Sequence, residues 1–177
     1  MNFCARGFNL YLLLPVLLCG CLSGHDKDKA FLGTLRIHIE NRGNLPDGGK
    51  TVKVLRSEPV EVSINPESIL SEVNMLAVSL IDTPGGFAIK VQFDETGGWT
   101  LEQYSAANPG GHFVIFGQWD KDPNTDGRWL AAPLITHHIS DGILTFTSDC
   151  SREEAQKLVT SVSHTIQKIQ TGTLKSK

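Results

Sequence analysis

Residues 75–93 read MLAVSLIDTPGGFAIKVQF, and this stretch decides the fold class. Its first part, Met75–Ile81, is rich in aliphatic side chains, and Thr83–Gly86 holds the turn residues proline and glycine. Every second residue of Phe87–Phe93 is then apolar. Two such runs around a short Pro-Gly turn predict an antiparallel hairpin with one face in the core.

The segment on the amino-terminal side of this hairpin also favours strands. Thr34–Glu40 alternates, with Leu35, Ile37 and Ile39 predicted to face the core and the intervening residues to face solvent. Shorter strands are predicted at 51–55 and 59–64. Asn65 and Pro66 then suit the N-cap and first position of a short helix ending before Asn74.

The carboxy-terminal side predicts two longer helices and three more strands. Gly97-Gly98 opens the first helix, over Trp99–Ala107 with Thr100 as a candidate cap, and the glycine-rich 108–111 stops it. Ser151 and Glu154 form a capping box for the closing helix. The strands are predicted at 112–119, 129–135 and 143–147. The order indicates an α+β fold: a mainly antiparallel sheet with the two longer helices packed on one face.

The amino terminus indicates export. Arg6 precedes an apolar run that starts near Leu10, and the run ends in Leu18-Cys19-Gly20-Cys21. This is typical of a signal peptide, because the apolar part is shorter than the roughly 20 residues a membrane span needs. An uncleaved anchor and ordinary secretion are the alternatives.

The Leu-x-Gly-Cys ending resembles the bacterial lipobox. The resemblance implies cleavage between Gly20 and Cys21, and a diacylglyceryl group and an acylated amine on Cys21. The predicted organisation is a signal peptide at 1–20, a polar tether at 21–33, one α+β domain at 34–170 and a polar tail at 171–177. Leu22 favours the outer membrane, because inner-membrane lipoproteins of some bacteria carry Asp there.

Charge and cysteine usage narrow the function. Removing residues 1–20 deletes Arg6 and no acidic residue, which changes the net charge from −3 to −4. Without a basic face, nucleic-acid binding is not expected. Cys150 would then be the only unmodified cysteine. We expect it to be a small buried apolar residue and not a reactive thiol.

Residues 58–162 resemble the head of the first periplasmic domain of SecD, the accessory subunit of the protein translocase. The order and spacing of several segments carry this resemblance more than any one of them. It implies the fold and a surface that meets extended polypeptide, but proton-driven export does not carry over, because no membrane helix is predicted after Cys21. The matching segments are Glu58-Pro59, Phe87–Trp99, Gly111–Gly117, Ala132–Ile135, Ile139–Gly142, Ile143–Thr147 and Ser151–Leu158.

One loop has the opening pattern of a calcium site. Asp122, Asn124 and Asp126 alternate before Gly127, so their oxygens could converge on one ion. Pro133, however, occupies the twelfth position, where a bidentate Glu is needed. The same residue types favour an ordinary hairpin loop, and that is the preferred interpretation.

Other candidate groups have structural interpretations. His137 and His138 are adjacent, and neighbours on a strand point to opposite faces, so a shared metal ion is not expected. Trp99, Trp119 and Trp129 could line a ligand face. Trp119 and Trp129 flank the Asp-rich loop and could instead form a cross-strand aromatic pair.

No nucleophile elbow, zinc-protease motif or phosphate loop is present in the sequence. We therefore expect no enzyme and no cofactor, but a lipid-anchored envelope protein that acts as a binding module, toward extended polypeptide in particular. A calcium- or small-ligand-binding domain using the 120–127 loop is the alternative. The sequence leaves the ligand and the oligomeric state open.

Overall fold

The structure is a computed structural model that describes residues 31–43, 49–119 and 127–174. Within these ranges it contains eight strands, one 3-10 turn at Glu72–Asn74 and two α-helices. The strands are β1 Thr34–Ile39, β2 Lys50–Val54, β3 Val60–Ile64, β4 Met75–Thr83, β5 Gly86–Phe93, β6 Phe113–Gln118, β7 Arg128–Ala131 and β8 Ile143–Phe146; the helices are α1 Glu95–Ala107 and α2 Arg152–Gln170.

The strands form three antiparallel sheets, in the orders β1-β6-β7, β2-β3 and β4-β5-β8. The predicted hairpin is β4-β5, in which Val78 pairs with Val91. The predicted fold class, α+β with mainly antiparallel strands and two longer helices, is confirmed.

The main hydrophobic core lies between the two three-stranded sheets and the helices. α2 contributes Leu158 and Val162, both fully buried, and it packs chiefly on β4. The predicted capping box starts α2: Ser151 Oγ accepts from Glu154 N at 3.2 Å, and Glu154 Oε2 accepts from Ser151 N at 2.8 Å. Among the described residues, no helix is both long and apolar enough to cross a membrane.

A second, smaller hydrophobic cluster covers the other face of β1 and β6. Valines of β2 and β3 pack there against Val114 and Trp129. His38, which the alternation of β1 places on the solvent side, is therefore buried, with its ring 5.0 Å from that of Trp129. The predicted solvent-facing side of β1 is wrong at this residue because β2-β3 covers it.

Helix α1 begins earlier than the sequence predicts. Its cap is Asp94, whose side chain accepts from Gly97 N at 2.7 Å, and not Thr100. Gly97 lies inside the helix. A side chain is disfavoured there, because a Cβ would lie 2.9 Å from the Asn74 carbonyl oxygen. The glycine indicates close packing of α1 on the chain before β4 and not the start of the helix. The predicted stop is confirmed, with Asn108 as C-cap.

The short helix predicted after Asn65 is wrong. Ile69 N donates to Ile37 O at 2.8 Å, and Ile37 N donates to Leu70 O at 2.9 Å. The backbone groups that a helix would use are thus paired with β1, and only the 3-10 turn Glu72–Asn74 follows.

Candidate functional site

The outer edge of β8 has backbone groups that pair with no other strand within the described residues. On its inner side β8 pairs with β5, and Phe93 N donates to Gly142 O at 3.0 Å just before the strand. Hydrogen-bonded pairs alternate along an antiparallel ladder, so the backbone groups of Ile143 and Thr145 point away from β5. Asp141 Oδ1 accepts from Ile143 N at 3.1 Å, whereas Thr145 N–H has no hydrogen-bond partner among the described residues.

A cleft of about 500 Å³ lies beside this edge. One wall is formed by Ile143–Thr145, and the other by the chain segment 133–141, with Phe113 at the base. Leu134 on the second wall is about half exposed, with 52% of its surface accessible. The cleft therefore combines an open strand edge with apolar side chains.

The second wall is held away from β8 by hydrogen bonds to other elements. Ile135 N donates to Gly111 O at 2.7 Å, and Phe113 N donates to Pro133 O at 3.1 Å. Further along, Ile139 N donates to the hydroxyl of Ser105, which is buried on α1, at 3.0 Å. These bonds fix segment 133–141 to β6 and α1, so the gap beside β8 is built into the fold.

The cleft continues into a smaller one of about 260 Å³ at the start of α1. Ser140 and Asp141 line both clefts, and Trp99 lines the second with 64% of its surface exposed. Gly142 has φ +67°, a left-handed conformation that suits glycine, and it brings the chain close to Gly98. We refer to the two clefts together with the outer edge of β8 as the β8 site.

Trp119 and Trp129, two of the tryptophans predicted to line a ligand face, lie in different hydrophobic clusters. Trp129 packs with His38 and Phe116, whereas Trp119 packs against the main core, with the Arg128 guanidinium 5.6 Å from its ring centre. The predicted cross-strand pair is therefore not formed. Trp119 does line a separate, more open groove of about 550 Å³ that it shares with Phe31 and the outer side of α2.

The adjacent histidines lie on the wall of the β8 site and contact different partners. His138 Nε2 is 3.1 Å from Glu102 Oε1, and His137 Nδ1 is 3.0 Å from Thr136 Oγ1. Among the residues that the structure describes, no group of three or more His, Cys, Asp or Glu side chains could hold a metal ion. Gly20 and Cys21, and the candidate calcium ligands Asp122, Asn124 and Asp126, lie outside the described residues and stay predictions.

Cys150 is buried, as predicted. Burial raises the pKa of its thiol, although Ser148 Oγ lies 2.8 Å from Sγ. A raised pKa favours the protonated thiol, which is the less nucleophilic form.

A network of ion pairs near Cys150 ties α2 to the smaller sheet. Arg128 donates to both oxygens of Asp149 at 2.9 and 3.0 Å, and Arg56 Nη2 donates to Glu154 Oε1 at 2.7 Å. Burial alone would raise the pKa of Glu154, but hydrogen bonds from Arg56 and from the Ser151 backbone outweigh burial and lower that pKa. These charges hold elements of the fold together and lie outside the β8 site.

Of the two residues that define the β8 site, the sequence indicates Trp99 as a candidate for a ligand face but does not indicate Thr145. Thr145 belongs to a strand that was predicted, but its outward backbone groups follow from the pairing partner and register. Trp99 was assigned to a helix, and its exposure depends on how α1 meets the turn before β8.

Comparison with known proteins supports the fold. No protein-family model matches the sequence, and no curated protein matches it. A solved structure described as "Structure and function of a membrane component SecDF that enhances protein export" matches with a TM-score of 0.53 and 15% identity, over 75% of this chain and 63% of that chain.

A second structure, "Crystal structure of SecDF in Super-membrane-facing form", matches with a TM-score of 0.53 and 17% identity, over 73% of this chain and 18% of that chain. This chain thus spans less than two thirds of either SecDF chain. The predicted resemblance to the SecD periplasmic domain is confirmed at the level of fold, and at this identity it shows the fold alone.

Proposed function

We propose that this protein is a non-enzymatic binding module of the cell envelope that takes an extended polypeptide segment along β8. The observation that carries the proposal is the open backbone edge of β8 beside a cleft of about 500 Å³. Strand addition to such an edge provides main-chain hydrogen bonds, while the adjoining walls contact the side chains of the bound segment. Clefts of this volume are typical of ligand sites in proteins.

The chemistry of the cleft walls supports binding more than hydrolysis. A serine-type hydrolase uses a hydroxyl, an imidazole and a carboxylate in one hydrogen-bonded chain. Here the hydroxyl of Thr136 contacts His137, whereas the carboxylate of Glu102 contacts His138. The two halves of such a chain thus belong to different imidazoles, and the proposal includes no catalytic step.

The proposal places the domain outside the cytoplasm, attached to a membrane through lipid on Cys21. Fully extended, residues 21–31 reach about 35 Å, which would keep the domain near the bilayer. One of the SecDF structures is described as that of a membrane component that enhances protein export. By analogy of fold, the bound segment would be an extended part of an exported protein.

Thr145 provides the direct test of strand addition. Thr145→Pro removes its outward N–H and blocks an added strand, while its ring leaves the ladder to β5 intact because that N–H points away from β5. Thr145→Ala keeps the N–H and is the matched control. Binding would be measured by fluorescence anisotropy with a synthetic peptide of alternating threonine and valine, against a serine-glycine peptide of equal length.

We expect wild type and Thr145→Ala to bind the alternating peptide, and Thr145→Pro to bind it about tenfold more weakly or not at all. Equal binding by all three proteins would overturn the β8 assignment, as would equal binding of the serine-glycine peptide. Amide hydrogen exchange on wild type gives an independent readout that needs no variant. The Thr145 amide should exchange more slowly once the peptide is bound.

The anchor is tested separately. Mass spectrometry of the mature amino terminus should find a lipid-modified Cys21, and Cys21→Ser should move the protein from the membrane fraction to the soluble one. An unmodified amino terminus at another cleavage position would contradict the anchor without touching the peptide-binding proposal.

A further inference from the structure

We infer that the segment bound by β8 carries a basic side chain at the end that lies beside Trp99. This inference rests on the proposed function and names the class of peptide that the same site takes. It begins from the distribution of charge. Asp94, Glu95, Glu102 and Asp141 line the β8 site, and no lysine or arginine is among the described residues that line it.

Three of these acids also have a local structural role, and the fourth, Glu102, already lies 3.1 Å from His138 Nε2 through its Oε1. Asp94 caps α1, and Asp141 accepts the hydrogen bond from Ile143 N. Glu95 lies in the first turn of α1, where a carboxylate offsets the partial positive charge of the helix end. What makes them a recognition surface is the exposed ring of Trp99 among them, in a cleft that continues from the strand edge.

Trp99 adds an interaction that carboxylates alone do not supply. A cation above an exposed indole face is attracted by the negative potential of the ring, and tryptophan is the best aromatic residue for this contact. A guanidinium or ammonium group that sits over the ring and within reach of Glu95 would have both a π face and a carboxylate as partners. An acidic or uncharged side chain would have neither electrostatic gain.

The charge is distributed unevenly along β8, and this fixes which end of the peptide is read. Asp141 precedes the strand, whereas Lys90 of β5 pairs with Thr145 further along. The negative potential is therefore concentrated at the Ile143 end. A basic side chain is favoured there and disfavoured beside Thr145. In an added antiparallel strand, the favoured position is near the carboxy-terminal end of the peptide.

The test uses three peptides with the same alternating threonine-valine body, blocked at both ends so that no terminal charge contributes. They carry Arg, Gln or Glu at the position expected to face Trp99. We expect the Arg peptide to bind about tenfold more tightly than the Glu peptide at low salt, and the preference to shrink as ionic strength rises. A fourth peptide with Arg at the opposite end should lose the preference.

Variants assign the preference to the site. Glu95→Gln/Glu102→Gln and Trp99→Ala should each reduce the ratio between the Arg and Glu peptides, while Glu58→Gln/Glu67→Gln, which makes the same charge change on exposed residues outside the site, should leave it unchanged. If all three peptides bind with equal affinity, the charge preference is wrong and the proposed function stands. If none binds, the proposed function itself fails.

Discussion

The outer edges of strands β1 and β8 differ in how far their backbone groups are hydrogen-bonded. Most outward backbone groups of β1 are paired with distant parts of the chain, whereas the outer edge of β8 is open beside a cleft. Uncovered edges invite pairing with other chains, and natural proteins usually block them. The outer edge of β8, unlike that of β1, is therefore able to pair with another chain.

The β1 edge is closed by groups from distant parts of the chain. Leu35 N donates to the carboxylate of Glu72 at 2.5 Å, and Ile37 exchanges backbone hydrogen bonds with the Ile69–Leu70 segment. Before the strand, Gly33 N donates to Ser161 O of α2 at 3.1 Å. At the far end, Asn65 N donates to Ile39 O at 3.2 Å, so every second residue from Gly33 to Ile39 has at least one outward backbone group paired with a distant part of the chain.

The first and largest expected effect comes from removing the side chain that anchors the cover of β1. Leu70 is almost fully buried in the main core, and its backbone bridges Ile37. Leu70→Ala should lower the free energy of unfolding by about 2–5 kcal/mol, because a cavity remains where the side chain was. Thr145→Ala, on the exposed edge, should change it by less than about 0.5 kcal/mol. Urea denaturation measures both free energies of unfolding. Equal losses in the two variants would contradict the view that the β1 edge is buried and the β8 edge exposed.

The second prediction concerns the contact between β1 and α2. A Cβ on Gly33 would lie 2.3 Å from Ser161 Oγ and 2.8 Å from Val162 N, so α2 must shift to accept it. Gly33→Ala should therefore destabilise the protein by about 1–3 kcal/mol. Gly85→Ala is the control, since no atom lies within 4 Å of a Cβ there. Thermal unfolding of the pair measures the difference, and a neutral Gly33→Ala would mean that the edge is not closed at this end.

Local sequence signals predicted much of this fold correctly. The β4-β5 hairpin follows from alternation around a Pro-Gly turn, and the start of α2 follows from the pair Ser151 and Glu154. In both cases the interacting residues are near neighbours in the chain. The pattern and the partner can then be read from the same short window.

The failures occur where the partner is distant. Asn65 and Pro66 are good helix-start residues, yet the following segment pairs with Ile37, about thirty positions earlier, and competition for its backbone groups removes the helix. Gly97 looked like the start of a helix because its close contact with Asn74 is invisible in sequence. The β8 site was missed for the same reason: which backbone groups of Thr145 point outward depends on its pairing with Lys90.

The last and smallest predicted effect compares two carboxylates at opposite ends of β1. Burial raises the pKa of Glu72, and the hydrogen bond from Leu35 N does not compensate for it. Burial alone would also raise the pKa of Glu40, but hydrogen bonds from the ring and backbone of His112, at 2.8 and 3.0 Å, outweigh burial and lower it. The two acids should therefore contribute to stability with opposite dependence on pH.

The signs follow from linkage between protonation and folding. The contribution of Glu72 to the free energy of unfolding is fully present below the pKa that this residue has in the unfolded chain. It is lost as pH rises through the higher pKa of the folded state. The contribution of Glu40 is fully present above the pKa that this residue has in the unfolded chain. It is lost as pH falls through the lower pKa of the folded state. Relative to wild type, Glu72→Gln should thus gain stability as pH rises above about 4.5, while Glu40→Gln should gain it as pH falls below that value. Denaturation across pH measures both differences. If the stability differences of the two variants change with pH in the same direction, burial does not raise the pKa of Glu72.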